Sequence, residues 1–249
     1  MGGFFMACGK FGVAVPVSGS TGAWLVSGGV ATSGAWTMTR TTADAATSQY
    51  VYSGGTANST TVVSGGSMYI LSGGTASGIE AHGSGARVYV SRGGSAAGVE
   101  IYSSARMTVT GSEAFASNVV VRGPDGFFTV YGRGAAAGGI ITSTGAYVYV
   151  YQSAVLSGMT MLAGNLYVSS AGTATGATIS GGAATVYANG SATDFVVSSG
   201  LLRIQNGGSA SSIVVSGGTL TVSSGGTALA VVSAGGTIDV LDGGTITYA

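Results

Sequence analysis

The side chains able to do acid–base chemistry are few and crowded into one stretch. Glu80, Arg87, Arg92, Glu100, Arg106, Glu113, Arg122, Asp125 and Arg133 lie between 80 and 133, with His82, the single histidine, whereas 134–193 carry no charged residue. Aligned on the repeat described below, Glu80 and Glu100 occupy one outward column on adjacent coils, about 5 Å apart. Two carboxylates at about that separation can perform retaining glycoside hydrolysis. That reaction needs a cleft to raise the pKa of the acid, and the repeat offers no pattern for one. Arg87 and Arg106 are the expected cross-coil partners of the two glutamates, each pair contributing under ~1 kcal/mol if exposed. No catalytic residue is assigned, and the chain reads as a non-enzyme.

Other reactive groups are isolated. His82 has no nucleophile or ligand set beside it in the repeat and is expected on the solvated surface. Cys8 is the single cysteine, so an internal disulfide and a two-cysteine metal site are both excluded. No metal and no cofactor is expected. "GRGAAAGG" (132–139) has the glycines of a phosphate loop but no following Lys-Ser/Thr, and reads as a coil corner. "GPDG" (123–126) reads as a turn. Asn58-Ser59-Thr60 and Asn189-Gly190-Ser191 fit the N-glycosylation pattern, which occurs often by chance.

The elements that position these residues follow from composition and period. Of 249 residues 47 are glycine and 6% are charged, far below the roughly 25% of an average soluble domain. Mean hydropathy is +0.49 and net charge zero, the opposite of a disordered chain. Glycines in widely spaced pairs exclude collagen. Lys10 and Pro16 interrupt the most apolar stretch, so no membrane-spanning segment is expected. Nor is a nucleic-acid partner, for want of a basic patch.

The stretch "VVSGGTLTVSSGGTA" (214–228) returns throughout the chain. Blocks 165–182, 183–200, 201–218 and 219–236 have 18 residues, 146–164, 67–85 and 48–66 have 19, and 105–125 and 126–145 are longer. Each holds an apolar-x-apolar segment such as Leu220/Val222 or Met68/Ile70, a turn, a second segment such as Ile213/Val215 or Val99/Ile101, and Ser-Gly-Gly. Period-two alternation means strands with one buried face, and Gly-Gly suits corners that need positive φ. A constant period of this length implies a solenoid. The predicted fold is therefore all-β, a single-stranded parallel β-helix of about eleven coils of 18–20 residues and on the order of 50 Å long. The strand cores miss the grid of a left-handed hexapeptide helix, which favours the right-handed form. A cap segment is expected over 1–20 and the repeat domain over 21–249, irregular at 21–47 and 105–145, regular at 48–104 and 146–249.

The consensus Leu-x-Val-x-x-Gly-Gly-Thr-Ala, best preserved at 48–85 and 201–248, resembles the passenger repeats of AIDA-type autotransporter adhesins over about 200 residues. The resemblance implies a right-handed β-helix at an extracellular or bacterial cell-surface location, acting in adhesion, self-association and biofilm formation, and often O-glycosylated. Neither an export-signal pattern nor a membrane-barrel segment is expected within these residues. Two readings stay open, a passenger fragment or a repeat serving another role.

Two surfaces are candidates for contact. Trp24, Tyr50, Tyr69, Tyr89, Tyr149 and Tyr167 align at one outward position, interrupted by Thr108 and Thr129 and continued by Thr185, Arg203, Thr221 and Asp239. Stacked rings suit a sugar face or a partner rod, and they also stabilise neighbouring strands as a ladder. The second candidate is Thr245, Ile246, Thr247 and Tyr248, an open coil end on which another subunit could stack. The expected activity is that of a cell-surface adhesin-like rod whose partners are itself, surface glycans or host proteins. Its rivals are a head-to-tail filament subunit, a polysaccharide-degrading enzyme, and an ice-binding array of Thr219, Thr221, Thr245 and Thr247.

Overall fold

Alternation of period two, interrupted every few residues by glycine, leaves the chain one way to bury its apolar side: each short strand lies over the equivalent strand of the preceding coil. The computed structural model describes residues 48–249 continuously, together with the strands Ala14–Val15, Trp24–Val26 and Thr37–Ala43. The cap segment expected at 1–20 and the irregular coils at 21–47 lie largely outside the described residues. Only strands and turns occur among those described, and they form a β-solenoid of about 11 turns.

Two sheets run along the solenoid. The first stacks the short segments of each coil, from Ser48–Val51 through Ser67–Ile70, Arg87–Val90, Arg106–Thr110, Phe127–Tyr131 and Tyr147–Val150 to Thr237–Val240, all parallel and in register. Two departures stand at its head, where Ala14–Val15 and Trp24–Val26 pair antiparallel. The second sheet stacks seven-residue segments such as Thr75–Ala81, Ser95–Ile101 and Phe115–Val121. Equivalent residues Asn165, Ala183, Leu201, Thr219 and Thr237 confirm the 18-residue period. Two block edges shift by a residue: Ser67 to Arg87 spans 20 positions and Tyr147 to Asn165 spans 18.

The predicted inward positions form the core. Met68, Ile70, Leu166, Val168, Leu202, Ile204, Leu220 and Val222 from the first sheet, with Ile79, Val99, Ile101, Phe195, Val197, Ile213 and Val215 from the second, are fully buried. Phe128 and Phe195 are the largest of the buried side chains.

The second sheet hides a bend that alternation alone does not reveal. Its seven-residue segments bury positions two, five and seven, as in Ala96, Val99 and Ile101. Two outward residues therefore separate the first inward pair. The fourth position resolves the mismatch by turning left-handed: Ser59, Gly78, Gly98, Asn118, Gly138, Gly158, Gly176, Asp194, Ser212 and Ala230 all have φ between 51° and 66°. Glycine, Asn, Asp and Ser dominate this column because most side chains are penalised there.

The Gly-Gly pairs serve two different needs. Gly93 takes φ +71°, as a corner requires, while a Cβ on Gly94 would stand 2.5 Å from the Ile70 carbonyl oxygen of the coil below. In this pair the first glycine supplies conformation and the second supplies space.

Candidate functional site

The outward positions of the first sheet carry the aromatic residues. Strand register places Tyr50, Tyr69, Tyr89, Thr108, Thr129, Tyr149, Tyr167, Thr185, Arg203, Thr221 and Asp239 in one column, as the alignment of the repeats predicts. The rings follow one another at coil spacing: Tyr50 and Tyr69 stack with centroids 4.8 Å apart and Tyr69 and Tyr89 with 5.0 Å, while Tyr149 and Tyr167 are 5.2 Å apart and tilted by 33°. Trp24 enters as the antiparallel backbone partner of Tyr50, and its side chain lies outside the described residues. Thr185 keeps the outward register but is only 5% exposed.

Two flanking columns escape an alignment that tracks a single position. Phe127 and Tyr147 stack at 5.2 Å one column over, and Tyr131 and Tyr151 at 5.3 Å on the other side. Phe127 also stacks on Tyr149 across the columns, and Arg106 places its guanidinium 4.4 Å above the Phe127 ring. Arg106 and Phe127 thus stand beside the gap at Thr108 and Thr129 and continue into Tyr149. The signal was present in "FFTVY" (127–131) and "YVYVY" (147–151), where alternate aromatics must share one face of a strand. These rings are half-buried against one another, and packing pushes the phenols of Tyr149, Tyr151 and Tyr167 above their ordinary pKa, chiefly by desolvation.

The charged cluster belongs to the second sheet. Glu80 and Glu100 are register partners on adjacent coils, as expected. Their predicted partners are wrong: Arg87 and Arg106 begin strands of the first sheet, where Arg87 donates to the Tyr89 hydroxyl at 3.2 Å and Arg106 covers Phe127. Glu100 instead receives a two-point contact from Arg122 one coil further on, Nε to Oε2 at 2.7 Å and Nη2 to Oε1 at 3.0 Å. The Tyr102 hydroxyl donates to the same Oε2 at 2.6 Å. Alternation hides this, because Arg122 lies past the end of its strand, level with His82 and Tyr102 on the preceding coils.

His82 is more than a solvated residue. Its ring stacks on Tyr102 at 4.0 Å and its Nε2 lies 3.1 Å from Glu80 Oε2. Glu80, Glu100, His82, Tyr102 and Arg122 therefore form one surface cluster beside a shallow groove lined by Ser59, Thr61, Gly78, Ile79, Glu80, Gly98 and Glu100.

The electrostatics of the cluster fix the role open to Glu100. A retaining pair requires one carboxyl to remain protonated as the acid. The hydrogen bonds from Arg122 and then Tyr102 hold the Glu100 carboxyl down at about 2, an anion at any physiological pH. Stabilised as an anion, Glu100 is an acceptor and cannot act as proton donor.

The remaining candidates separate in space. Thr245–Tyr248 forms a strand beside Thr227–Ser233 on the second sheet, with Tyr248 62% exposed. Thr219 and Thr221 lie on the first sheet and Thr245 and Thr247 on the second, so the four threonines make no single array. "GRGAAAGG" is a corner with Gly132 and Arg133 at positive φ, leading into the strand Ala135–Ile141.

Comparison with protein families finds no match to this chain, and comparison with curated proteins finds none. Among solved structures, the chain is similar to the TibC-catalysed, hyper-glycosylated fragment of TibA, an AIDA-type autotransporter adhesin passenger. The likeness covers 86% of this chain and 92% of the TibA fragment, with a TM-score of 0.63 and 27% sequence identity. The similarity thus extends along nearly the whole of both solenoids and agrees with the resemblance carried by the repeats.

Proposed function

We propose that this chain is a non-catalytic, adhesin-like rod displayed outside the cell, which self-associates and contacts cells or glycans through the aromatic face of its first sheet. The observation that carries this reading is the outward rings in three adjacent columns of one parallel sheet, in two groups, Tyr50 to Tyr89 and Phe127 to Tyr187. Stacked rings cover one another's faces and turn apolar edges and hydroxyl rims outward, a mixed surface that favours protein and sugar contact. The likeness to a TibA passenger fragment supports the same role and the same extracellular setting.

Replacing Tyr69, Tyr89, Tyr149 and Tyr167 together by Ser tests the reading. The inward ladder is untouched, so the β-sheet circular dichroism is expected to persist while association, followed by sedimentation and electron microscopy over a concentration series, falls away. Association that survives the replacement would return the tyrosines to a purely structural role. Long single-rod filaments, in place of rods paired side by side, would move the contact to the strand Thr245–Tyr248.

A further inference from the structure

The groove beside Glu80 and Glu100 has the construction of a binding site on the second sheet, away from the tyrosine columns. Its floor is formed by Gly78 and Gly98, members of the left-handed column that project no side chain. On the flanking coils the same column carries Ser59 and Asn118, which mark the two ends of the bare stretch. Thr61, Glu80 and Glu100 stand in register along one edge. Across the bend, Ser77 donates to Asn58 Oδ1 at 2.7 Å. With adjacent coils about 4.8 Å apart, the trench is about 10–15 Å long, enough for a short oligosaccharide.

Its polar groups are set before any ligand arrives. Arg122 and Tyr102 fix Glu100, and His82, stacked on Tyr102, holds one oxygen of Glu80. Preorganisation of this kind lowers the cost of binding. Carboxylates are acceptors with two oxygens and several lone-pair directions, and hydroxyl groups bond to them more strongly than to neutral acceptors. The Glu80 side chain is 52% exposed and keeps acceptor capacity toward the groove.

We propose that the Gly78–Gly98 trench is a saccharide-binding subsite, in which an uncharged sugar lies over the glycine floor and donates neighbouring hydroxyls to Glu80 and Glu100. A metal ion fits less well. Arg122 already balances Glu100, and no group of three His, Cys, Asp or Glu able to hold a metal occurs among the described residues. The proposal rests on the reading of the rod as a contact protein. It lies on the other sheet from the tyrosines, so each surface can fail alone.

The test is a nuclear magnetic resonance titration of the chain with lactose, maltose, cellobiose and mannobiose, read on the Tyr102 and His82 ring signals. A saturable shift with at least one sugar is expected, weakened about tenfold or more by Glu80→Gln, which removes a charge-assisted bond. Gly98→Asn should weaken it as much by filling the floor, and the fold tolerates Asn at this position of the bend, as Asn118 demonstrates. The four-tyrosine replacement is titrated alongside, and a sugar shift that persists there assigns binding to the trench. Absence of a saturable shift with all four sugars overturns the proposal. So does a shift indifferent to both trench variants, or a stronger response to trilysine than to any sugar.

Discussion

Glu100 is the residue whose surroundings determine its chemistry most firmly. Arg122 and Tyr102 donate three hydrogen bonds to its carboxylate and hold its pKa at about 2, against an ordinary 4.5. A depressed pKa means the folded state binds this proton less readily than the unfolded chain. The associated stability is therefore complete above about pH 4.5 and is lost as the pH falls toward 2. Both partners are partly exposed, 31% for Glu100 and 45% for Arg122, so solvent screening keeps the contribution under ~1 kcal/mol. Following the Glu100 carboxyl carbon by nuclear magnetic resonance should give a midpoint near 2 in the parent chain. In Arg122→Ala the midpoint should rise toward the ordinary range, held partly down by Tyr102. An unchanged midpoint in the variant would mean that Arg122 does not hold the carboxylate in solution.

At the scale of the strand and its corners, glycine identity separates positions that look alike in sequence. Gly94→Ala would drive a Cβ to 2.5 Å from the Ile70 carbonyl oxygen, so backbone must move in two coils. A loss of roughly 1–3 kcal/mol is expected in chemical denaturation. A Cβ on Gly98 would make only ordinary van der Waals contact, its nearest neighbour being Gly78 N at 3.8 Å. Its conformation suits Asn, so Gly98→Asn should cost less than about 1 kcal/mol. Equal losses at the two sites would contradict the division between space and conformation. The same distinction explains what the sequence made legible. Period-two alternation exposed the inward ladders and the first-sheet column, because a one-residue slip would invert every side chain. It could not reveal the left-handed bend, which breaks the period, nor the partner of Glu100, which sits beyond a strand end. A column read of Ser59, Gly78, Gly98 and Asn118 was the available signal for the bend.

Along the whole rod, charge and aromatic rings are distributed unequally, and this decides what kind of contact the first sheet can make. Tyr147, Tyr149, Tyr151, Tyr167 and Tyr187 all lie within 134–193, which contains no charged residue, whereas Tyr69 and Tyr89 have Arg87 close by. A contact centred on these rings has Arg106 and Arg203 only at its two ends, so it gains mainly from ring burial and loses little by ionic screening. Association should therefore change little between low and physiological salt, and strengthen in sulfate, which favours burial of apolar surface. A contact made through Arg87 and Arg106 would behave in the opposite way, weakening as the Debye length shortens from about 30 Å to about 8 Å. Sedimentation in 0.01 M and 0.15 M chloride distinguishes the two, with the conditions taken from that screening range. Tyr149→Ser with Tyr167→Ser should weaken association at both salts, while Arg87→Gln should leave it intact. If salt dissolves the assemblies, the charged band at 80–133 makes the contact and the tyrosine columns only brace the sheet beneath it.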